Sequence, residues 1–343
     1  MLEHMKVHAR FRLLRILRCL PTIGIVCMAA TVARCQQKNV FGEWERASAE
    51  PIIAPQGDGW QSAGTFNPAV VVHDGKYVML YRAQDHDGTS RLGYAESGDG
   101  IHFTRRARPV LSPETSYEAN GGVEDPRLVK IAGTYYLTYT GYNKKDAQLC
   151  LATSKDLVHW KRHGVILPAY KGAWNRGWTK SGAIVPEKIA GKYWMYWLGT
   201  AADKTDQMGI AISEDLLHWK EAMNVPVLPR RPGKFDSRVV EPGPPPLLTK
   251  DGIVLIYNGT DDNLVYRTGI AIFDRKDPRR VLYRSDEPIF RPEKDWEKTG
   301  QVPNVVFVEG MAPQGDHWLF YYGGADKYVG VAKAKSLVEL ASH

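Results

Sequence analysis

Cysteine and the common cofactor motifs are scarce in this sequence of 343 residues. Of its four cysteines, Cys19, Cys27 and Cys35 lie near the N-terminus, so Cys150 has no partner in the body for a disulfide framework. The sequence contains no Cys-x-x-Cys pair, His-Glu-x-x-His, phosphate-cradling glycine loop or Gly-x-Ser-x-Gly elbow. We therefore expect neither a cofactor nor a metal site.

A basic run is also missing, although the formal net charge is +7. Part of the excess lies in the basic N-terminal segment, and the remaining Lys and Arg residues are dispersed among carboxylates. This pattern is typical of a solvated surface rather than a phosphate-binding stripe. We therefore expect no nucleic-acid partner.

Long apolar runs are missing too, apart from Cys19 to Ala33, which follows the basic segment. This layout is that of a secretory signal peptide, and the run is short for a membrane span. Cys35 follows Val32-Ala33-Arg34, which is similar to a lipoprotein cleavage box, although Arg34 fits it poorly. We expect a leader over 1–36, one folded domain over 37–343, and export to the periplasm, the medium or a lipid anchor. The alternative is an unprocessed, disordered extension.

A repeated unit rich in aromatic residues dominates the rest of the chain, which holds 17 Tyr, 10 Trp and 9 Phe in all. Each unit has a proline-flanked apolar tripeptide, an apolar run, a turn glycine before an aromatic strand, and a strand of small residues. The small-residue strand starts at Gly93, Cys150, Gly209, Gly269 and Gly330. Four strands in each of five units predict an all-β fold, a five-bladed β-propeller.

The order of the parts predicts how the ring closes. The tripeptide at 51–53 precedes the first complete unit, so we expect it to form the outer strand of the last blade. A β-sandwich or a β-solenoid is the alternative fold, but sandwiches do not repeat at this spacing and solenoid coils are shorter.

Three units end in Ser-x-Asp-x-x-His-aromatic, with histidines at His102, His159 and His218. Equivalent positions in successive repeats lie far apart on an outer ring, which argues against a shared metal. We interpret the motif as a structural turn capped by Asp and Ser.

The loops that enter the predicted inner strands differ between units and should carry the function. Asp125 is the main candidate for a general acid, because a neighbouring carboxylate and burial could raise its pKa. Glu241, held before a proline-rich run, could activate water opposite Asp125. The structural alternatives are a local ion-pair turn of Glu124, Asp125 and Arg127, and a pairing of Glu241 with Lys180 or Arg238. The other candidate substrate-binding residues are Asn67, Arg82, Glu124, Arg127, Lys180, Asn304 and Asp326.

Taken together in this order, the loop motifs of residues 66–334 resemble those of glycoside hydrolase family 130, which contains mannoside phosphorylases and β-mannosidases. The resemblance implies inverting chemistry on β-mannosides, with Asp125 as the acid. It places Asn67, Arg82 and Asp326 at sugar-contacting positions and Lys180 at a phosphate-binding one. The matching motifs are Phe66-Asn67-Pro68, Tyr81-Arg82-Ala83, Ser90-Arg91-Leu92-Gly93, Glu124-Asp125-Pro126-Arg127, Pro186-Glu187-Lys188-Ile189, Gly243-Pro244-Pro245-Pro246 and Tyr321-Tyr322-Gly323-Gly324-Ala325-Asp326.

Two departures from the phosphorylases favour hydrolysis. Asn258 stands where they usually have a histidine, and Glu241 adds negative charge near the expected phosphate. We therefore expect an inverting hydrolase that releases mannose from an oligosaccharide or glycan by water attack. The alternatives are a phosphorylase, with inorganic phosphate as co-substrate and mannose 1-phosphate as product, and a non-catalytic glycan-binding propeller.

Overall fold

The computed structural model describes residues 40–338, and within this range the chain consists of β-strands and one short helix. The all-β prediction is therefore confirmed. No helix among these residues is long and apolar enough to cross a membrane. The predicted leader over 1–36 lies outside the described residues.

The strands fall into five repeat units in the order that the sequence predicts. Unit 1 contains β2–β5, unit 2 contains β6–β9, unit 3 contains β10–β13, unit 4 contains β14–β18, and unit 5 contains β19–β21 and β1. The helix α1 precedes β19. The bounds are β1 (Glu45–Arg46), β2 (Gly64–His73), β3 (Lys76–Gln84), β4 (Ser90–Ser97), β5 (Thr104–Arg105), β6 (Gly122–Ile131), β7 (Thr134–Tyr142), β8 (Ala147–Ser154), β9 (Lys161–Leu167), β10 (Asn175–Ile184), β11 (Tyr193–Ala201), β12 (Asp206–Ser213), β13 (Lys220–Glu221), β14 (Val239–Pro242), β15 (Leu247–Thr249), β16 (Gly252–Thr260), β17 (Tyr266–Phe273), β18 (Val281–Arg284), α1 (Asp295–Lys298), β19 (Val306–Gln314), β20 (His317–Gly324) and β21 (Tyr328–Lys335).

In units 1, 2, 3 and 5 the first two strands form a hairpin whose turn uses the predicted glycine, whereas in unit 4 both β14 and β15 pair with β16. Asp74 and Gly75 join β2 to β3 with φ of 48° and 76°, and Ala132 and Gly133 join β6 to β7 with φ of 47° and 71°. Two successive positive φ angles match the twist of antiparallel strands, and glycine adopts such an angle without a steric penalty.

Single parallel pairs connect one unit to the next. Ser90 of β4 pairs with Gly122 of β6, and Asp206 of β12 pairs with Val239 of β14. Hydrogen bonding thus groups the strands into three sheets of four, nine and eight strands. The sheets do not close on one another, so the closed five-bladed ring stays a prediction.

The core consists of apolar layers between successive units rather than one central mass. Each of five buried clusters draws side chains from two neighbouring units among the described residues. One of them contains Met79 and Tyr81 of unit 1 together with Leu319 and Tyr321 of unit 5. The last unit therefore packs directly against the first.

The N-terminal segment pairs with the last strand of the chain. Strand β1 is antiparallel to β21, with Glu45 opposite Lys333. The predicted tripeptide reaches the same strand, because Ile53 forms a bridge with Val329. Unit 5 thus takes its outer strand, β1, from the start of the chain, and the tripeptide adds an isolated bridge rather than the outer strand itself.

The Ser-x-Asp-x-x-His motif forms a capped turn, as interpreted from the sequence. The Oδ1 atom of Asp99 accepts the backbone N–H groups of Ile101 and His102, both at 2.9 Å. The Nδ1 atom of His102 lies 2.7 Å from Oδ2 of Asp99. Asp156 and Asp215 repeat this arrangement in the next two units.

Candidate active site

The inner strands carry irregularities at the same place in four of the five units, and these irregularities hold the site. The register between inner strand and partner shifts around Asn67, Asp125, Ser181 and Glu309. Asn67, Asp125 and Ser181 also have positive φ, at 48°, 50° and 59°. A bulge takes a residue out of the ladder and redirects its side chain, which fits a functional site. Side chains from successive units meet there.

Asp125 lies in this meeting place and is 6% exposed. Asn67 Nδ2 donates a hydrogen bond of 2.8 Å to its Oδ1 atom, and Arg82 Nη1 donates one of 3.0 Å to the same atom. The two donors come from unit 1, whereas Asp125 belongs to β6 of unit 2. The structure therefore brings together three residues that the sequence analysis selected separately.

The expectation that burial and a neighbouring carboxylate raise the pKa of Asp125 is wrong. Burial does raise it, but the charges of Arg82, Lys180 and Arg127 and the Asn67 hydrogen bond outweigh burial. Together they hold the pKa of Asp125 at about 2. Asp125 is therefore ionised at neutral pH in these contacts.

Glu124 shares Arg82 with Asp125. Arg82 Nη2 donates a hydrogen bond of 2.6 Å to Oε1 of Glu124, and Ser90 Oγ donates one of 3.1 Å to the same oxygen. Burial raises the pKa of Glu124 in spite of the Arg82 charge, and the charge of Asp125 adds to the rise. Neighbouring carboxyl groups thus have pKa values displaced in opposite directions, which is a common property of catalytic sites.

Arg127 does not form the local turn with Glu124 and Asp125 side chains that the structural alternative required. Its guanidinium is 1% exposed and donates hydrogen bonds to backbone carbonyls, at 2.8 Å from Nη2 to Pro242 and 3.1 Å from Nη1 to Asp125. Its carboxylate neighbours are Glu309, 3.2 Å from Nη1, and Glu241, 3.9 Å from Nη2. Arg127 thus joins three strands through contacts within the protein, and its direct role in substrate binding stays a prediction.

Glu241 lies on β14 and is 4% exposed. Ser181 Oγ donates a short hydrogen bond to its Oε1 atom. Burial raises the pKa of Glu241, and the charges of Lys180 and Arg127 oppose the rise. The proposed pairing with Arg238 is not present, because among the described residues the Glu241 carboxylate has an ion pair only with Arg127.

Lys180 is the cation of the site without a close carboxylate. Among residues 40–338 no carboxylate oxygen lies within 4.0 Å of its ammonium group, whereas Arg82 and Arg127 each have two such neighbours. Burial lowers the pKa of Lys180, but the charges of Glu241 and Asp125 outweigh burial and raise it. Lys180 is therefore charged and available to an anion.

Asp326 completes the set from the end of β20, with φ of 50°. Burial raises its pKa to about 6, and the charges of Asp125 and Glu241 add to the rise while Arg82 and Lys180 oppose it. Asn304 lies next to β19, and its carbonyl accepts the N–H of Tyr266 at 3.0 Å. For Asn304 the described structure gives this backbone contact and no side-chain contact within the site.

The sequence analysis missed Glu309, whose side chain is fully buried beside Arg127. Glu309 directly follows the apolar residues Val306, Phe307 and Val308 of β19. The signal was available, because Glu309 occupies the position in unit 5 that Asn67 occupies in unit 1. We call the charged groups of this site the carboxylate cluster: Arg82, Glu124, Asp125, Arg127, Lys180, Glu241, Glu309 and Asp326.

The structure also explains the asparagine in place of the expected histidine. Asn258 is fully buried and bridges two strands: its Nδ2 donates to Val308 O at 2.9 Å, and its Oδ1 accepts from Val308 N at 3.0 Å. Thr268 Oγ1 donates to the same Oδ1 at 3.2 Å. The side chain therefore supports β16 and β19 rather than the site.

Comparison with known proteins gives a consistent result. A family model described as beta-1,4-mannooligosaccharide phosphorylase matches residues 45–342. A 1,2-beta-oligomannan phosphorylase from Thermoanaerobacter sp. (strain X514) is 42% identical over 299 residues, which cover 84% of this chain and 96% of that protein.

Solved structures agree in fold. One is described as "The GH130 family of mannoside phosphorylases contains glycoside hydrolases that target beta-1,2 mannosidic linkages in Candida mannan". It has a TM-score of 0.79 and 40% identity, covering 87% of this chain and 95% of that chain. The beta-1,2-mannobiose phosphorylase from Listeria innocua, in complex with beta-1,2-mannobiose, has a TM-score of 0.76 and 27% identity, covering 85% and 96%.

The prediction of a hydrolase with water attack is therefore wrong, because the family description and the curated relatives are phosphorylases. The comparisons favour its alternative. They support an enzyme that acts on mannosides, with inorganic phosphate as the co-substrate of its relatives. Glu241 consequently loses the role of a base that activates water.

Proposed function

Because the chain belongs to glycoside hydrolase family 130, we propose that it is an inverting β-mannoside phosphorylase. Phosphate attacks C1 of the terminal mannose, the bond from C1 to the glycosidic oxygen breaks, and that oxygen takes a proton. The products are α-mannose 1-phosphate and the shortened glycan. The observation that carries the proposal is the 42% identity to an oligomannan phosphorylase over nearly its whole length.

We propose that the substrate linkage is β-1,2. The 1,2-beta-oligomannan phosphorylase and a beta-1,2-mannobiose phosphorylase, 37% identical over 304 residues, support this linkage. The Listeria innocua structure holds the corresponding disaccharide. The family description names β-1,4 linkages instead, so the linkage is part of the test below.

We also propose that the five units close into a five-bladed propeller. The packing of unit 5 on unit 1 supports it, since both contribute to one buried cluster. The pairing of β1 with β21 supports it as well. In such a ring the four bulged inner strands would surround one channel, and the carboxylate cluster would lie on its axis.

In this arrangement Asp125 is the acid that protonates the leaving oxygen. It is ionised in the ligand-free site, so it gains a proton only once the sugar has altered its contacts with Asn67 and Arg82. Asp326, with a pKa of about 6, is the neighbouring carboxyl group that exchanges a proton at physiological pH. Sugar hydroxyls would replace part of the hydrogen bonding that now joins these side chains.

Lys180 is the group that holds the attacking phosphate. Its charge has no close carboxylate among the described residues, whereas Arg82 is occupied by Glu124 and Asp125. Arg127 is turned to backbone carbonyls. A charged, uncommitted ammonium group is a suitable point contact for phosphate.

The test is an assay of the purified chain on β-1,2- and β-1,4-mannobiose, with and without inorganic phosphate, followed by proton and phosphorus NMR. We expect turnover of the β-1,2 substrate only with phosphate, and α-mannose 1-phosphate as the first product. Release of free mannose at the same rate without phosphate would overturn the proposal. The Asp125→Asn variant should bind substrate but turn it over about 10²- to 10⁴-fold more slowly.

We further propose that the protein is exported, from the leader-like composition of residues 1–36. N-terminal sequencing of the mature protein from its host tests this. A protein that retains Met1 in a soluble cell extract would contradict it.

A further inference from the structure

Glu309 is a buried acid to which the reaction above gives no role. It lies in the register shift of β19 and is 0% exposed. Within the described residues 40–338, neither of its carboxyl oxygens has a hydrogen-bond partner. Its charged neighbour is Arg127, whose Nη1 lies 3.2 Å from Oε1 of Glu309. An ionised carboxylate in such a place loses its hydration without gaining hydrogen bonds in exchange, so the neutral form is favoured there.

Arg127 couples Glu309 electrostatically to the residues of the reaction site. Its guanidinium lies between two acids, Glu309 at 3.2 Å from Nη1 and Glu241 at 3.9 Å from Nη2. Hydrogen bonds to the Pro242 and Asp125 carbonyls orient the guanidinium between the two acids. One positive charge is thus shared by two acids. The protonation state of one acid therefore determines how strongly Arg127 stabilises the negative charge of the other.

The carboxylate cluster has more acidic groups than cations, so some of its carboxyl groups must be protonated for its charges to balance. The cluster contains five carboxyl groups and three cations within the described part of the chain, so two of the acids must be neutral for it to have no net charge. An incoming phosphate increases this demand. Glu309 is the most buried of the five, and within residues 40–338 neither of its fully buried carboxyl oxygens has a hydrogen-bond partner.

The groups that act on Glu309 come from three neighbouring strands. Arg127 and Asp125 belong to β6, Glu241 to β14 and Arg82 to β3. Burial raises the pKa of Glu309 well above its ordinary value; the Arg127 and Arg82 charges oppose the rise, and the Asp125 and Glu241 charges add to it. This electrostatic balance agrees with the geometry.

We propose that Glu309 is a positioning residue for phosphate binding: in its protonated form it leaves the Arg127 charge to Glu241, so that Lys180 is free for the attacking phosphate. The inference rests on the proposed phosphorylase function. When Glu309 ionises at alkaline pH, it draws on Arg127, Glu241 regains its uncompensated charge, and Lys180 pairs with Glu241 instead of phosphate.

The test compares the wild type with Glu309→Gln, which keeps the shape of the protonated acid and cannot ionise. KM for phosphate is measured from pH 6 to pH 10 at saturating β-mannoside. In the wild type we expect KM to rise by about tenfold per pH unit above the ionisation of Glu309, as for a single linked proton. In Glu309→Gln this additional rise should be absent. The ratio of the two KM values cancels the titration of phosphate and of Lys180.

Glu96→Gln is the matched control, because Glu96 is a surface acid paired with Lys76 outside the cluster. Its KM profile should follow that of the wild type. Parallel profiles for wild type and Glu309→Gln would overturn the inference. So would a folded Glu309→Gln variant with tenfold higher KM for phosphate at neutral pH, since that result would require the ionised form.

A second measurement does not depend on activity. Infrared difference spectra of the ligand-free wild type minus Glu309→Gln at neutral pH should show the carbonyl stretch of a protonated carboxylic acid. A carboxylate band in its place would overturn the inference even if phosphorolysis occurs. If the wild type shows no phosphorolysis, the proposed function fails, and the infrared result still decides the protonation of Glu309.

Discussion

Asp326 offers a direct test of the site's electrostatics through stability. Its pKa of about 6 in the folded chain compares with an ordinary value of 3.8, mainly because burial disfavours the charged form. The folded state therefore holds the proton more tightly than the unfolded state. Stability is highest when Asp326 is protonated, below pH 4, and falls as the pH rises toward 6. The difference between the two pKa values corresponds to about 3 kcal/mol lost above pH 6.

Asp326→Asn removes this ionisation while keeping the size of the side chain. At pH 8 we expect the variant to be up to about 3 kcal/mol more stable than the wild type, a rise in Tm of about 5 °C for a chain of this length. At pH 4 the two proteins should unfold at nearly the same temperature. Substitutions at functional sites often increase stability and reduce activity, so we expect Asp326→Asn to be more stable but less active.

The assay is thermal unfolding followed by circular dichroism at pH 4 and pH 8. The control is Asp58→Asn, an exposed position away from the cluster. If Asp326→Asn is as stable as the wild type at pH 8, or less stable, then attraction to Arg82 and Lys180 exceeds the cost of burial, and the reasoning is refuted.

Three further variants test the other roles. Asp125→Asn should lower kcat by about 10²- to 10⁴-fold, as for loss of a general acid, with calorimetric affinity for β-mannoside retained; loss of binding alone would contradict the acid role. Lys180→Gln should raise KM for phosphate at least tenfold with little change in affinity for the sugar, and an unchanged KM would exclude Lys180 as the phosphate contact. Asn258→His should lower the free energy of unfolding by about 2–4 kcal/mol in urea, because it breaks buried hydrogen bonds to Val308, without lowering KM for phosphate. An improved phosphate affinity in this variant would show that position 258 does face the site.

The repeat made much of the fold predictable from the sequence. The hairpin glycines, such as Gly75 and Gly133, stand where the turns require positive φ, and the aromatic strands follow them. The capped turns at Asp99 and its equivalents are local, so their residue types define them. Local geometry of this kind depends on neighbours in the chain, which the sequence displays.

The site was predictable only in part, because its decisive contacts join different units. The sequence predicted Asp125 in a loop entering an inner strand, whereas the residue lies at a register shift within β6 itself. Its ionisation depends on Arg82, 43 residues earlier. The placement of Arg127 depends on carbonyls more than a hundred residues later, at Pro242. Glu309 was not predicted as a site residue, because it follows a run of apolar residues that is typical of a buried strand. Such contacts depend on how the units pack against one another, and the spacing of motifs along the chain does not show that packing.

The wrong prediction of hydrolysis has a physical explanation in the same cluster. It treated Glu241 as a fixed negative charge that would repel phosphate. Burial raises the pKa of Glu241, while the charges of Lys180 and Arg127 and a hydrogen bond from Ser181 to its Oε1 atom oppose the rise. A carboxyl group in such surroundings can exchange its charge for a proton when an anion enters. An acid near a phosphate site therefore excludes phosphate only if its negative charge stays uncompensated. At Glu241 the charge can be compensated by a neighbouring cation or removed by protonation.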